Sequence, residues 1–241
     1  MQVLDFWLDD ISAVQIGISL QSPITFGAIT PRVTKFQVVG KSGDLHIDHG
    51  AYDNIPGVAK CYALAENVSA AMADINAFLF AQKGYRRLKT SDDDLYYREA
   101  SIVNGSETAA RLALLNPFTI NFDCKPFRRL ISGDDAIFVQ SGDVITNPTG
   151  FTAEPLIYFS AIDSGTIQIG NYTVTVNSGI PDYAVMDCET WTCYPENGTA
   201  GYGYNSYISA ARYPLLNVGN NTISWTGGVT VSKIVPRWRT L

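Results

Sequence analysis

The stretch that decides the fold runs from residue 38 to residue 54 and reads Val38-Val39-Gly40-Lys41-Ser42-Gly43-Asp44-Leu45-His46-Ile47-Asp48-His49-Gly50-Ala51-Tyr52-Asp53-Asn54. Gly40 and Gly43 bracket a polar pair after an apolar run, which favours a turn because glycine adopts positive φ without strain. Leu45 and Ile47 then alternate with polar residues, the period of a half-buried strand. The stretch therefore predicts a β-hairpin that buries one face of its second strand.

The composition around this stretch also favours β structure. The chain has 241 residues with 20 glycines and 13 tyrosines, and it is rich in Thr, Val and Ile. Such a composition is typical of many short strands joined by tight turns. The length suffices for one large all-β domain or for two domains of ordinary size.

One segment has the period of a helix. After a predicted strand at 58–64, apolar residues recur at helical spacing between Ala70 and Gln82, and Gly84 follows as a stop signal. Asn67 or Ser69 can cap its first turn. The face predicted to pack against a sheet consists of Met72, Ile75, Leu79 and Gln82, widened by Val68, Phe78 and Phe80. The sequence thus predicts a single helix that covers one face of a small sheet.

The second half of the chain predicts a separate β-domain. Turn-rich segments between residues 130 and 150 indicate the boundary, which we place between 134 and 135. Beyond it, residues 166–169 and 172–176 alternate around Gly170-Asn171 and predict a hairpin. A further turn is expected at 226–228, between strands at 222–225 and 229–236. Residues 135–241 therefore predict a β-sandwich.

Charge and the first residues limit the classes of function. The formal net charge is −6, and acidic residues closely follow the basic clusters at 86–89 and 125–129, so we predict no phosphate-binding surface. Residues 1–10 lack the basic start of a signal peptide, and no apolar run approaches membrane length. We expect synthesis in a cytoplasm, no membrane partner, and reduced thiols at all four cysteines, Cys61, Cys124, Cys188 and Cys193.

Candidate sites for metal or nucleotide are weak. His46, Asp48 and His49 form the only cluster with metal-ligand chemistry, but no further histidine completes a site. Cys188 and Cys193 could form half of a zinc site, although small buried side chains are the simpler interpretation. Gly40-Lys41-Ser42 resembles the end of a P-loop, but no helix follows it. We predict no cofactor, no metal and no catalytic set, and hence no enzyme.

An aromatic loop in the second domain offers a binding surface. The candidate residues, set among glycines and asparagines, are Trp191, Tyr194, Tyr202 and Tyr204. Such rings can pack over the open end of the sandwich, anchor a partner protein, or stack on a sugar. The sequence leaves these three interpretations open.

Several motifs, taken in order, resemble the distal tail proteins (Dit) of long-tailed phages that infect Gram-positive bacteria. The first is Gly40, a basic residue, Gly43-Asp44-Leu45, Ile47-Asp48, Gly50, Tyr52 and Asn54. The others are Gly84-Tyr85 through Leu88, Asp92-Asp93-Asp94 with Tyr96-Tyr97-Arg98, residues 121–127, residues 217–221 and residues 234–238. They are glycine turns and packing residues, and their specificity lies in their order across nearly the whole chain.

The resemblance implies a fold, an assembly and partners. The fold would be mainly β, with an N-terminal β-sandwich carrying one α-helix and a β-hairpin (1–134), followed by a C-terminal galectin-like β-sandwich (135–241). Six copies would form a hub ring at the distal end of the phage tail, synthesised in the host bacterial cytoplasm. Its neighbours would be the tail tube protein, a tail-associated spike or lysin protein, and receptor-binding or baseplate proteins. DNA would pass through the channel without specific binding.

The resemblance also directs attention to contact residues. Those expected at the ring interface are Gly40, Gly43, Asp44, Leu45, Ile47 and Tyr52, together with the helix from Ser69. The rival hypothesis is a carbohydrate-binding accessory protein that contacts cell-wall polysaccharide through Trp191 and the loop up to Tyr207.

Overall fold

The computed structural model describes residues 4–63, 68–105, 116–198 and 203–241. The chain divides into two compact units, the first formed by residues 1–128 with Leu241 and the second by residues 129–240. The described residues are mainly β-strand, which confirms the predicted fold class. The capping candidate Asn67 and the loop residue Tyr202 lie outside the described residues, as do residues 109–115, for which the sequence also predicts a strand.

The first unit is built on one antiparallel sheet and a separate two-stranded hairpin. The chain elements, in order, are β1 (Phe6–Leu8), β2 (Ile11–Ser12), a 3₁₀ turn (Val14–Ile16), β3 (Ile18–Leu20), β4 (Thr25–Phe26), β5 (Pro31–Gln37), β6 (Asp44–Tyr52), β7 (Ile55–Ala63), α1 (Val68–Phe80), β8 (Arg86–Thr90), β9 (Asp93–Gly105) and β10 (Asn116–Leu130). The sheet has the order β2-β1-β8-β9-β10-β7-β3, with β4 also paired to β7. Among the described strands, β5 and β6 form a two-stranded sheet of their own.

The pairing of β7 with β10 explains where the core of the first unit lies. Alternate residues of β7 are buried, and the register opposes Cys61 to Phe118 and Ile55 to Cys124. In an antiparallel pair, residues directly opposite share a face, so both strands direct their small and aromatic side chains to one core. Gly57 suits this close contact, because a Cβ there would lie 3.2 Å from the Cys124 sulfur, closer than an ordinary van der Waals contact.

Helix α1 covers this core with one face, as predicted, but two members of the predicted face were wrong: Phe80 is 45% exposed, and Gln82 lies exposed beyond the helix end. Ile75, Phe78 and Leu79 are buried in it. The predicted stop signal was wrong, since the helix ends at Phe80 and Gly84 adopts positive φ further on. Arg86 of β8 caps the end of the helix: its Nη1 donates to the Phe78 carbonyl at 2.6 Å. A cation at helix carbonyls that lack an intrahelical partner is stabilising.

The second unit is a set of antiparallel strands around one long central pair. Its elements are a 3₁₀ turn (Ile131–Asp134), β11 (Ile137–Phe138), β12 (Val144–Asn147), β13 (Leu156–Ile169), β14 (Tyr172–Val176), β15 (Ala184–Asp187), β16 (Thr192–Pro195), a 3₁₀ turn (Asn205–Tyr207), β17 (Ile208–Ser209), β18 (Gly219–Val235) and β19 (Arg239–Thr240). The sheet has the order β11-β18-β13-β14-β17; β12 also pairs with β18, and β15 joins β13 to β16. The hairpin predicted around Gly170 is present, with Ile169 opposite Tyr172.

The turn predicted at 226–228 was wrong. β18 continues through it, and the register against β13 shifts between Ala161 and Gly165. Between the pairs Ala161–Val229 and Gly165–Gly227, β13 has three residues and β18 has one, so the extra residues bulge from β13, and Gly227 beside them has φ +67°. The approach at this bulge is close, because a Cβ on Gly165 would meet the Thr226 carbonyl oxygen. A glycine pair that resembles a hairpin turn in sequence lies here within a single long strand, opposite the bulge of its neighbour.

Ion pairs and a backbone hydrogen bond connect the first and last segments of the second unit. Arg237 Nη1 lies 2.7 Å from Asp187 Oδ1 and 3.5 Å from Glu189 Oε2, and Arg129 Nη2 lies 2.6 Å from the same Glu189 oxygen. The backbone adds a bond from Leu130 N to the Trp238 carbonyl at 2.9 Å. The segment that enters this unit is thereby bound to the segment that leaves it. In the described part of the chain, no helix is long and apolar enough to cross a membrane.

Candidate functional site

The hairpin formed by β5 and β6 is amphipathic and exposed on both faces. Its register opposes Phe36 to Leu45 and Thr34 to Ile47, which places these four residues on one face. The exposed fractions of Phe36, Leu45 and Ile47 are 50, 55 and 45%. We call these three side chains the apolar face of the hairpin. A soluble chain rarely presents such a set without a partner, and this surface is the first candidate for an assembly contact.

The opposite face of the hairpin is polar. It carries three cross-strand pairs, which are Lys35 with His46, Gln37 with Asp44, and Val33 with Asp48. Asp44 therefore lies on the other face from its predicted interface partners Leu45 and Ile47. The prediction that the second strand is half-buried was wrong for this chain, because residues 44–50 are all exposed. The alternation correctly gives the two faces, but it does not say what covers the apolar one.

The hairpin tip projects apolar side chains as well. Gly40 and Gly43 have φ of +79° and +88°, as the predicted turn requires. A Cβ at either position would meet nothing within 4 Å, so the requirement for glycine is conformational. Val38 is 43% exposed and Val39 is fully exposed.

The base of the hairpin is anchored to the sheet of the first unit. The Tyr52 ring meets the Phe127 ring edge-on, with centroids 5.7 Å apart. Asn54 Nδ2 donates to Tyr85 Oη at 2.6 Å and to Asp123 Oδ2 at 2.7 Å. These contacts make Tyr52 an anchor of the hairpin, whereas sequence analysis places it at the interface.

The histidines of the hairpin are separated. His46 shares the polar face with Asp48, but His49 lies with the apolar face, where its Nε2 is 2.7 Å from Thr34 Oγ1. Among the described residues, no group of three or more His, Cys, Asp or Glu side chains is arranged to hold a metal ion.

A second apolar surface of the first unit lies beside α1. Ile11, Ile16, Ala77 and Phe78 line a groove of about 350 Å³, together with the polar residues Gln15 and Asp74. Near it in the chain, Val14 is 40% exposed and Phe80 at the helix end is 45% exposed. We call the groove with its six lining residues the helix groove. Sequence analysis expects a ring contact at the helix from Ser69, which stays a prediction, and it does not name Ile11, whose only signal is its place directly after Asp9-Asp10.

The aromatic loop of the second unit divides into an exposed ring and packed rings. Trp191 is 54% exposed, and its ring is nearly parallel to that of the buried Tyr213, with centroids 6.2 Å apart. Its φ of +56° is a strained value for a bulky residue. Tyr204 packs against the core and meets the Tyr207 ring edge-on. Tyr194 is half-buried, and this burial raises its pKa. Trp191 alone of these three presents a largely open aromatic surface.

The cysteines are free, buried thiols, as expected for packing residues. Burial raises the pKa of Cys61, Cys124 and Cys193 to about 12. It also raises the pKa of Cys188 well above its ordinary range. Thiols held in this protonated state are poor nucleophiles and poor metal ligands.

Known proteins resemble the chain in structure rather than in sequence. No protein-family model matches the sequence, and no curated protein matches it either. Among solved structures, the SPP1 Dit protein is similar over 100% of both chains, with a TM-score of 0.67 and 12% identity. A chain of the phage P2 baseplate in its activated conformation with Ca is similar over 97% of both chains, with a TM-score of 0.56 and 11% identity.

The chain has the fold of a Dit protein. At 12 and 11% identity the likeness concerns the backbone, and it confirms at that level the family resemblance given by the glycine turns and packing residues. The SPP1 Dit protein is described as a paradigm of the hub adsorption apparatus in phages that infect Gram-positive bacteria. A Dit fold that extends over both whole chains includes both compact units of this protein.

Proposed function

We propose that this protein is a structural component of a phage tail tip and that six copies form a hub ring through their first units. The observation that carries the proposal is the apolar face of the hairpin, exposed in a chain with a Dit fold. Three large apolar side chains on one face of an otherwise exposed hairpin require a cover. A neighbouring copy supplies one.

The geometry of the first unit suits a head-to-tail contact. A closed ring needs two different surfaces on each copy, one of which receives the other. The apolar face of the hairpin and the helix groove are two such surfaces, formed by separate segments of the unit. We propose that the apolar face of one copy docks against the helix groove of the next. The anchors at Tyr52 and Asn54 hold the hairpin firmly enough to define the angle of this contact.

The remaining partners follow from the place of a hub. One face of the ring would meet the tail tube protein and the other a tail-associated spike or lysin protein. The second units, which we assign to galectin-like domains, would carry receptor-binding or baseplate proteins. A net charge of −6 suits a channel that DNA crosses without binding, since like charges do not hold a polyanion in place. The role is structural and needs no catalytic residue.

The test is negative-stain electron microscopy of the purified protein, with its mass measured by light scattering. We expect six-fold rings with a central hole wider than a DNA duplex, about 20 Å. A protein that stays monomeric, even with its tube protein and tail-spike neighbour present, would refute the hub.

The second candidate function is binding of cell-wall polysaccharide, and the observation that favours it is Trp191. An open aromatic ring stacked on a buried one offers a flat, rigid platform for a sugar. The test is a glycan array probed with the full chain, the Trp191→Ala variant and the Tyr183→Ala variant. Tyr183 is the matched control because it is also 54% exposed in the same unit. Sugar binding that is lost only in Trp191→Ala supports this candidate, and equal signals from all three proteins contradict it.

A further inference from the structure

A cleft in the second unit lies where its sheet is interrupted. Along β13, residues 156–159 pair with β15 and residues 165–169 pair with β14. Residues 160–164 belong to the same strand but have no partner on that side among the described strands. We call residues 160–164 the gap segment. The cleft has a volume of about 510 Å³ and is lined by part of the gap segment and by residues 179–183.

The connection between β14 and β15 does not close this gap. Its first residue, Asn177, donates from its backbone N to the Tyr207 carbonyl at 2.8 Å. At its other end, the Tyr183 carbonyl accepts from Glu196 N at 2.9 Å. Among the described residues, no hydrogen bond between backbone groups joins this connection to the gap segment. A strand without a neighbour presents unpaired N–H and C=O groups on that side, so the gap segment offers them to the cleft.

The bulge in β13 adds an exposed apolar side chain to the cleft. Bulges change the direction of side chains, and this one begins at Ile162, directly after Ala161. Ile162 lines the cleft and is 93% exposed. Tyr183, on the other lining segment, is 54% exposed. The cleft therefore offers large apolar side chains on both of its lining segments, next to unpaired backbone.

The charge at the cleft is negative. Among the described residues that line it, Asp182 is the only charged one. The exposed Asp163 follows Ile162 in the bulge. Each of these two carboxylates accepts a hydrogen bond from the backbone N–H of the next residue, and no described cation pairs with either. Lys233, a cation of the neighbouring strand β18, already pairs with Glu196 at 3.1 Å. A cationic ligand complements this charge.

An extended peptide matches these properties together. Its backbone has the same repeat as the gap segment, about 3.3 Å per residue, so its N–H and C=O groups can meet those of β13 in register. The gap segment is about 16 Å long at this repeat, which is the length of about five peptide residues. A sugar would need a flat aromatic platform, and the aliphatic side chain of Ile162 does not provide one.

We propose that this cleft binds an extended segment of a partner protein that carries apolar side chains and a lysine or arginine. Its backbone pairs with the gap segment, an apolar side chain packs between Ile162 and Tyr183, and its cation lies beside Asp182. The identity of the partner as a protein carried by the tail tip rests on the proposed function. The cleft gives the second unit a specific surface for that role.

The probe is a set of acetylated, amidated pentapeptides Thr-X-Arg-X-Thr in which X is Val, Ile, Leu, Phe or Tyr. They are titrated into the full chain, and the backbone amides are followed in a nitrogen-proton NMR spectrum. At least one peptide should cause saturable shifts at the gap segment and at Tyr183. The same peptide with Glu in place of Arg should bind about fivefold more weakly, because its charge is repelled by the cleft.

Backbone pairing is tested with two N-methylated forms of the peptide that binds. One form is methylated at both X residues and the other at the central Arg. Because N–H groups of an extended strand point alternately to its two sides, only one of the two forms should lose binding. Equal affinity of both forms would overturn the backbone pairing on which the proposal depends.

Two variants locate the peptide on the protein. Ile162→Ser should weaken binding about tenfold, because a nearly fully exposed apolar side chain is covered by the peptide. Asp182→Asn should weaken the Arg peptide and not the Glu peptide, a difference that a purely structural effect does not produce. Val218→Ser is the matched control, since Val218 is also exposed, at 56%, in the same unit, and it should bind like the original chain.

Three results would overturn the proposal. The first is that no peptide of the set shifts the gap segment, and the second is equal affinity for the Arg and Glu peptides. The third is a glycan-array signal that is lost in Ile162→Ser, which would make a sugar the occupant. The hub is tested separately, because peptide binding to a single chain requires no ring. Rings that bind no peptide would refute the cleft alone, and a monomer that binds peptide would refute the hub alone.

Discussion

The substitution Ile47→Lys should prevent assembly while leaving the chain folded. Ile47, Leu45 and Phe36 are 45, 55 and 50% exposed in the single chain. Full burial of such a side chain is worth about 1.5–3 kcal/mol, so covering the exposed half of each contributes about 1 kcal/mol, and the three contribute about 3 kcal/mol per contact. A lysine at position 47 removes one such share and places an ammonium group against an apolar surface.

The combined loss is at least about 2 kcal/mol per contact, which weakens each contact about 30-fold. In a closed ring every copy makes this contact twice, so the concentration needed for assembly should rise by more than this factor. The folded chain should lose less than about 0.5 kcal/mol, because the side chain is already half exposed there. Light scattering across a concentration series measures the first effect, and thermal unfolding measures the second.

The matched control is Val33→Lys. Val33 is also β-branched and is 38% exposed, but it lies on the polar face of the same hairpin, opposite Asp48. We expect this variant to assemble like the original chain. Intact assembly of Ile47→Lys, or equal loss in both variants, would refute the assignment of the apolar face as the contact.

Three further predictions concern stability. Gly165→Ala should destabilise the second unit by about 1–3 kcal/mol, because the new Cβ would meet a backbone carbonyl oxygen. Gly150→Ala is the control and should be nearly neutral, because the space around that position is open. Chemical denaturation measures the free energy of unfolding of both variants. Arg237→Met should cost about 3–5 kcal/mol, because it leaves the buried Asp187 carboxylate without its cation while Glu189 keeps Arg129; a normal melting temperature for this variant would contradict the role given to the ion pairs. Folding raises the pKa of Cys61 and Cys124 from 9.0 to about 12, so these thiols ionise at lower pH in the unfolded state than in the folded state. The free energy of unfolding should therefore fall as the pH rises from 9 towards 12. Substitution of both thiols by alanine should flatten this part of the curve of stability against pH.

The sequence predicts those parts of the fold that depend on neighbours along the chain. The period of α1, the alternation of β7 and the glycine turn between β13 and β14 each lie within about a dozen residues, where side-chain spacing alone reports the backbone. Gly40 and Gly43 have the positive φ that a tight turn needs. In these places local preference and tertiary structure agree.

The sequence does not predict contacts that join distant segments. Arg86 looks like part of a solvated basic cluster, yet the fold buries it beneath the end of α1, where it pairs with Asp9 at 2.6 Å. Tyr52 looks like a surface residue of a hairpin, yet it packs on Phe127. Such contacts are set by strand pairing across the sheet, about which spacing along the chain carries no information.

The fastening of the two ends of the second unit makes that unit exchangeable. Arg129 and Arg237 share one carboxylate, so the chain enters and leaves the unit at nearly the same point. A segment of the chain with neighbouring ends can be replaced by another that has the same property, without moving the residues on either side of the junction. The body of this unit can therefore be varied, as long as the short paired segments at 129–130 and 237–238 and the carboxylates of Asp187 and Glu189 that bind their arginines are kept. An engineer who grafts a new binding module onto this protein should cut at the same two places.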